Sequence, residues 1–270
     1  MAVRLAVFGQ RRESAEHGEA VIGTRTALVG GGGSGIGFAA AECLARAGHD
    51  VVLAGRRAEP LGKAAAAIAE RTGAAVTTVR ADLAVDCPPA AASADVLVLN
   101  AGGPPPGHIL TVDDDGWQRA FDLLLRGPLR LARSALPAMA ARGFGRVVFV
   151  TSTAVRQPQP DLAASVVLRA AVTSAAKLLS REYADRGVTV NCVAPGPTAT
   201  DRRRDVLTAR AERAGIPYEK IDAADVSTVP AGRAGRPEEI GEVIAFLSSA
   251  AASYVNGTVF TVDGGRTETP

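Results

Sequence analysis

Cysteine is scarce in this chain of 270 residues, which has only Cys43, Cys87 and Cys192. The three lie far apart and lack the close spacing of metal ligands, so the sequence predicts neither a disulfide framework nor a metal site. We expect all three to be buried thiols.

Long apolar runs and an excess of one charge are also missing. No run approaches the ~20 apolar residues of a membrane-spanning helix, and 30 basic residues nearly balance 28 acidic ones. With no strong overall field, we expect neither a membrane nor nucleic acid as a partner. The absence of a secretory apolar segment and of lipidation motifs predicts a cytoplasmic location. Residues 1–24 are polar in their second half, and we interpret them as an N-terminal extension.

Short β-rich runs alternate with Ala-rich helical patterns over the rest of the chain. The seven predicted strands are Thr26 to Gly30, Val51 to Gly55, Val76 to Arg80, Asp95 to Asn100, Arg146 to Ser152, Val188 to Val193 and Thr258 to Asp263. Their near-continuous Val and Leu content is typical of strands covered on both faces. The order predicts an α/β fold: one Rossmann-type, doubly wound, seven-stranded parallel sheet with helices on both faces, spanning residues 25–270.

The predicted crossovers are helices that begin near Ile36, Glu59, Asp113, Leu162 and Pro237. The third crossover, DCPPAAASA, is broken by proline and is expected to be abbreviated. The charged stretch 201–229 interrupts the alternation before Pro237, and we interpret it as a lid.

Between the first strand and its helix stands GGGGSGIG, with Gly31, Gly35 and Gly37 at G-x-x-x-G-x-G spacing. A backbone without Cβ atoms lets a pyrophosphate approach the helix N-terminus closely, so this turn predicts dinucleotide binding. After the second strand come Arg56 and Arg57, with no carboxylate. Cations at that turn favour the 2′-phosphate, and therefore NADP(H) over NAD(H). The predicted cofactor-binding set is Gly31, Ser34, Gly35, Ile36, Gly37, Arg56, Arg57, Asp82, Leu83, Asn100, Ala101, Gly102, Pro195, Gly196 and Thr200.

These motifs resemble the short-chain dehydrogenase/reductase family from Thr26 to Gly265. The resemblance rests on the glycine turn, on Asn100-Ala101-Gly102, on Pro195-Gly196 with Thr200 beyond, and on the closing segment from Arg233. It is greatest for the β-ketoacyl carrier-protein reductase-like branch, whose members carry a similar GGPPPG loop. It implies an NAD(P)-dependent oxidoreductase acting on a small molecule, assembled as a dimer or tetramer through helices near Asp113 to Ala141 and Leu162 to Arg186.

The family's catalytic tetrad is incomplete here. Ser152 matches its serine, but Ser165 occupies the tyrosine position, Arg169 the lysine position and Leu124 the asparagine position. A serine hydroxyl is far less acidic than a phenol, whereas arginine stays charged and lies one helical turn from Ser165. We therefore predict Ser152, Ser165 and Arg169 as the catalytic residues, with Ser152 polarising the substrate oxygen and Ser165 or water supplying the proton.

Two other classes of function remain open at this point. One is a non-redox dehydratase, cyclase or isomerase that uses Ser152 and Arg169 to stabilise an enolate. The other is a catalytically silent nucleotide-binding protein. His108 in the proline-rich loop is a weaker candidate for a replacement acid, and Tyr218 and Arg202 to Arg204 are weak candidates for substrate contact.

Overall fold

The computed structural model describes residues 24–269, so the extension predicted for residues 1–24 lies, apart from Thr24, outside the described residues. Seven strands form one sheet: β1 Thr26–Gly30, β2 Asp50–Gly55, β3 Val76–Arg80, β4 Val96–Leu99, β5 Gly145–Val150, β6 Val188–Pro195 and β7 Val259–Val262. Their order is β3-β2-β1-β4-β5-β6-β7, and every neighbouring pair is parallel. The predicted fold class is confirmed.

Nine α-helices connect the strands or extend the fold. They are α1 Gly35–Arg46, α2 Ala58–Thr72, α3 Ala90–Ser93, α4 Asp114–Phe121, α5 Gly127–Ala141, α6 Ala163–Glu182, α7 Asp201–Ala214, α8 Tyr218–Ser227 and α9 Pro237–Ser248, all within residues 24–269. The third crossover is abbreviated as predicted, because α3 has only four residues. A π-helical turn, Asp122–Arg126, joins α4 to α5.

Two apolar layers cover the two faces of the sheet. Consecutive strand residues point to opposite faces, so Val148 packs with α1, α2 and α9, whereas Phe149 packs with α5 and α6. This double coverage explains the near-continuous apolar runs in the strands. Because all the strands are parallel, the carboxyl ends of β1, β2, β4, β5 and β6 lie at one edge of the sheet, where polar residues follow.

Helix α6 is long and apolar enough, by length and composition alone, to cross a membrane. In the fold it packs against β6, and Val172 and Ala176 are buried on the sheet. These buried residues therefore belong to the core of an α/β domain.

One local expectation was wrong. Cys43 and Cys192 are buried, but Cys87 is exposed beside the shortened third crossover. Its short connection leaves little helix to cover it. The stretch 201–229 contains α7 and α8. The lid function proposed for it stays a prediction.

Candidate active site

A cavity of about 470 Å³ opens at the carboxyl edge of the sheet. Its lining contains all three predicted catalytic residues and all but one of the predicted cofactor-binding residues. These are Gly31, Ser34, Gly35, Ile36, Arg56, Arg57, Asp82, Leu83, Asn100, Ala101, Gly102, Ser152, Ser165, Arg169, Pro195, Gly196 and Thr200. The fold therefore brings the nucleotide motifs and the altered catalytic positions to one cleft.

Gly37 is the predicted binding residue that does not line the cavity. A Cβ added there would run into the backbone carbonyl of Gly31, directly beneath the turn. Gly37 therefore permits the close packing of α1 under the turn, which is an indirect contribution to binding. Asn100 holds the same turn from the side, since its Nδ2 donates to the Gly30 carbonyl at 3.0 Å.

The glycine turn has the shape that an anionic ligand needs. Gly31 and Gly35 have φ of 62° and 54°, a region that residues with a Cβ rarely adopt. Ser34 precedes α1 but makes no side-chain capping bond, so its side chain leaves the first N–H groups of the helix available. These groups and the helix dipole favour a phosphate at this point. The turn fits the pyrophosphate of a dinucleotide.

The turn after β2 is rich in arginine. Arg56 and Arg57 are exposed at the rim of the cavity. Arg80, at the end of β3, donates from Nε to the Arg56 carbonyl at 3.2 Å. Arg80 was not among the predicted binding residues, because its place beside Arg56 depends on the register of β2 and β3. The three guanidinium groups concentrate positive charge where a ribose 2′-phosphate is expected.

Ser152 follows β5 and begins a short 3₁₀ turn. Its Oγ accepts a hydrogen bond from the Ala154 N–H at 3.1 Å. Because one lone pair of the oxygen is used in this way, the hydroxyl hydrogen is left to donate into the cleft. Backbone capping thus holds the oxygen in place and leaves its hydrogen free to donate.

Ser165 and Arg169 lie one turn apart on α6 and form a pair. Arg169 Nε donates to Ser165 Oγ at 3.2 Å, Nη1 donates to the Val150 carbonyl at 2.6 Å, and Nη2 lies 3.5 Å from the Ala101 carbonyl. The guanidinium therefore bridges α6 and the ends of β4 and β5. A lysine could not make this forked set of contacts.

Arg169 carries its charge in a partly desolvated place. Burial, and secondarily the nearby Arg202, lower the pKa of Arg169 to about 10. The guanidinium is therefore still protonated at neutral pH. A fixed positive charge beside Ser165 Oγ favours any negative charge that develops on that oxygen.

The side of the cleft behind Arg169 is apolar. Leu124, in the π-helical turn, is 3% exposed and packs with Ala120, Ala164 and Leu168. A void of about 10 Å³ between Leu124 and Arg169 is lined otherwise by apolar residues. It offers too few polar partners to hold a water, so a proton relay through this side is closed.

The weaker candidates for substrate or acid roles differ in whether they line the cavity. Arg202 and Arg203 line the cavity, whereas Arg204, Tyr218 and the exposed His108 do not. Lys177 and Tyr183, further along α6 and just beyond it, also lie outside the cavity lining; Lys177 donates to the Gly257 carbonyl at 2.9 Å. Among the described residues, neither the phenol nor the ammonium of the family's motif is replaced from elsewhere in the cleft.

Comparisons with known proteins agree with this geometry. A family model described as enoyl-(acyl carrier protein) reductase matches residues 31–267. The cis-4-hydroxycyclohexanecarboxylate dehydrogenase of Sinomonas cyclohexanicum is 36% identical over 90% of this chain and 96% of its own. The 3-oxoacyl-[acyl-carrier-protein] reductase MabA of Mycobacterium tuberculosis is 32% identical over 90% of this chain and 92% of its own.

A solved structure extends the match to three dimensions. The L-sorbose reductase of Gluconobacter frateurii, in complex with NADPH and L-sorbose, has a TM-score of 0.84 and 30% identity over 92% of this chain and 98% of its own. Both the fold and the cleft-forming segments are covered by these matches. The family resemblance of the motifs is confirmed, and the chain belongs to the short-chain dehydrogenase/reductase family of NAD(P)-dependent oxidoreductases.

Proposed function

We propose that this protein interconverts a carbonyl and an alcohol of a small-molecule substrate in the manner of a ketoreductase, using NADP(H) in preference to NAD(H). The observation that carries the proposal is that Ser152 and the hydrogen-bonded pair Ser165 and Arg169 line the same cavity as the glycine turn. Hydride chemistry requires that donor, acceptor and proton source meet in one enclosed place.

The proposed preference for NADP(H) rests on Arg56, Arg57 and Arg80. Their charges favour a 2′-phosphate, and no acidic residue follows β2 at the position where a carboxylate would select the 2′-hydroxyl. The similar L-sorbose reductase structure contains NADPH, which is consistent with this preference.

The substrate oxygen would bind against Ser152. The Ala154 N–H holds Ser152 Oγ, so that its O–H points to the substrate oxygen and stabilises the negative charge that develops there. When bound, the nicotinamide cofactor supplies or accepts the hydride. Arg169 adds a permanent positive charge to the same region, which stabilises an alkoxide further.

Ser165 would transfer the proton at Oγ. Arg169 donates to that oxygen, and its charge lowers the cost of releasing the hydroxyl proton to the alkoxide. An alkyl hydroxyl remains a weaker acid than a phenol, so Ser165 must regain its proton promptly from water at the open side of the cleft. We expect this enzyme to be slower toward ordinary ketones than relatives with the tyrosine and lysine.

A second candidate function is favoured by the absence of the phenol itself. Ser152 and Arg169 together form an electrophilic site that suits an enolate, which needs charge stabilisation but no strong acid. Such an isomerase or dehydratase would use the same cleft without net hydride transfer. A nucleotide-binding protein without catalysis is the remaining alternative.

The decisive test is a panel of ketones and alcohols supplied with NADPH or NADP⁺, with cofactor absorbance and products both recorded. Turnover that is lost in Ser152→Ala and falls at least tenfold in Arg169→Met supports the proposal. Conversion without cofactor consumption, or exchange of α-protons for deuterium alone, supports the enolate chemistry. NADPH binding without any conversion supports the silent alternative.

We also propose that the protein is a cytoplasmic homo-oligomer, a dimer or tetramer. Apolar side chains on α4 and α6 remain exposed in the single chain: Phe121, Val167 and Leu178 are 38%, 45% and 62% exposed. Covering such residues against a second copy removes apolar surface from water. Light scattering of the purified protein tests this, and a monomer at all concentrations would contradict it.

A further inference from the structure

Arg169 and Arg202 have no acidic partner among the described residues. Arg169 donates to the Val150 carbonyl, and Arg202 Nη2 donates to the Pro104 carbonyl at 2.6 Å. Neither forms an ion pair with any carboxylate of residues 24–269. Both are partly buried and line the cavity beside Ser165.

Other arginines on α7 are neutralised. Arg203 binds Asp222 at 2.7 Å and Asp225 at 2.8 Å, and Arg210 binds Asp161 at 2.7 Å. Well-formed ion pairs therefore exist on the same helix as Arg202. The unpaired state of Arg202 is a local property of the cleft.

The two unpaired cations also act on each other. Arg202 is close enough to lower the pKa of Arg169, which means that the fold holds two like charges near one another in a desolvated place. Burial lowers the pKa of Arg202 as well, with a partial offset from Asp205. Like charges in such a place are costly unless an anion comes between them.

The structure points to an anionic subsite: we propose that the substrate carries a carboxylate, sulfonate or phosphate group that binds between Arg202 and Arg169, next to the reacting carbonyl. This inference rests on the proposed function and adds the class of substrate to it. Arg202 keeps Nε and Nη1 available beside its Nη2 bond, and a guanidinium fork suits such oxyanions because it can donate two hydrogen bonds. Arg169, whose three nitrogens already have partners, contributes mainly its charge.

The contacts of Arg169 and Arg202 place the proposed subsite close to the reacting carbonyl. Ser165 accepts a hydrogen bond from Arg169 itself, and Arg202 is anchored to the 101–104 loop that also contacts Arg169 through Ala101. The anionic group is therefore expected only a few bonds from the carbonyl carbon. Oxo acids fit this description better than long neutral ketones.

Matched pairs of small ligands test the proposal without requiring turnover. The probes are pyruvate, acetoacetate and levulinate, each against its neutral amide, together with acetonylsulfonate against acetone and dihydroxyacetone phosphate against dihydroxyacetone. Each is added to the protein with NADP⁺ at constant ionic strength, and the dissociation constant is obtained from the rise in Tm. The series measures both the kind of anion and its distance from the carbonyl.

Three variants locate the effect. Arg202→Gln removes the charge, Arg202→Lys keeps the charge but not the fork, and Arg204→Gln is the control on the same helix. Arg204 is 72% exposed at its side chain and lies outside the cavity lining. Loss of a charge-assisted contact corresponds to about a tenfold or larger loss of affinity.

We expect at least one anionic probe to bind more tightly than its neutral partner, and this preference to fall about tenfold or more in Arg202→Gln. Arg202→Lys should retain part of the preference and Arg204→Gln all of it. If no anion is preferred by the unaltered protein, or if both glutamine variants reduce the preference equally, the subsite is refuted. If Arg202→Gln does not fold, competition by sulfate against the anionic probe, but not against its amide, decides the same question.

The test separates this inference from the proposed function. An anion preference without NADPH consumption leaves the subsite standing and removes the ketoreductase activity. NADPH-dependent turnover of neutral ketones without an anion preference does the opposite.

Discussion

The two halves of the cleft are built on different principles. On the nucleotide side, the phosphate-facing groups are backbone: the turn Gly30 to Gly37 and the N-terminus of α1, braced by the Asn100 side chain. On the side proposed for catalysis, the groups are the side chains of Ser152, Ser165 and Arg169. The first side carries the motifs of the family resemblance, whereas Ser165 and Arg169 stand where that resemblance leads one to expect a tyrosine and a lysine.

Under the proposed function, nucleotide binding and catalytic chemistry have diverged independently in this fold. A glycine turn is locked by packing, since almost any side chain at Gly37 would collide with Gly31. Ser165 and Arg169 line the cavity instead, so a substitution there acts directly on the region proposed for the reaction, although loss of Arg169 also removes its bonds to the ends of β4 and β5. Variants on each side of the cleft test this difference.

The largest effect is expected for Gly37→Ala on the nucleotide side. The added Cβ meets the Gly31 backbone, so we expect a destabilisation of about 3 kcal/mol and no measurable NADPH binding. The matched control is Gly62→Ala in α2, where nothing lies within 4 Å of the new Cβ. It should stabilise the protein by about 0.5–1 kcal/mol. Chemical unfolding measures both, and equal effects would contradict the packing argument.

Ser165→Tyr combined with Arg169→Lys tests the catalytic side. Restoring a phenol with a nearby ammonium supplies a stronger acid, so reduction of simple ketones should rise about 100-fold. Ser93→Tyr, an exposed change at the end of α3 and outside the cavity lining, is the control and should change nothing. An unchanged rate in the double variant would mean that the cleft has been adapted to a different reaction.

Arg56→Gln with Arg57→Gln sharpens the contrast within the nucleotide side. Loss of two cations should weaken NADPH binding about tenfold or more while NADH binding stays nearly constant. Titration of each cofactor with the Tm as readout measures this. Lys63→Gln, which removes an exposed cation from α2, is the control. A parallel loss for both cofactors would contradict the role given to the arginines.

The smallest effect concerns the ion pairs behind the catalytic side. Burial alone would raise the pKa of Asp161, but hydrogen bonds from Arg210 and then Arg213 outweigh it and hold that pKa below its usual value of 3.8. A carboxyl whose pKa is lower in the folded state stabilises the fold above its unfolded pKa and loses this contribution as the pH falls through the folded pKa. The Tm should therefore drop steeply below about pH 4.

Asp161→Asn is the matching variant for this last prediction. It should lower the Tm by a few degrees at pH 7 and make the decline in acid shallower, since the titrating group is gone. Glu219→Gln, an exposed change on α8, is its control. If both variants followed the same pH curve as the unaltered protein, Asp161 would not be the responsible group.

The strand pattern and the cofactor motifs were the predictable part of this molecule. Apolar runs such as Val147 to Val150 indicate strands that are covered on both faces. A glycine turn between a strand and a helix has few functions other than phosphate binding. The helices α7 and α8 could not be predicted in the same way. Half of their residues are charged. They are held by ion pairs to Asp161 and within the segment, and such contacts leave no clear apolar period in the sequence.

Contacts between distant positions were also beyond the sequence. Arg80 lies beside Arg56 only because β2 and β3 are in register. Arg202 reaches Pro104, 98 residues away, only because the 101–104 loop turns toward α7. The pair Ser165 and Arg169, by contrast, follows directly from helical spacing.

Gly103 leaves room for the guanidinium of Arg202. A Cβ at that position would lie 2.8 Å from Nη2 of Arg202, and the end of a long flexible side chain can yield at little expense to the fold. A methyl group there would thus re-aim a guanidinium without altering any charge. Varying residue 103 alone should therefore change the substrate selectivity in small steps, although this residue has no functional group of its own.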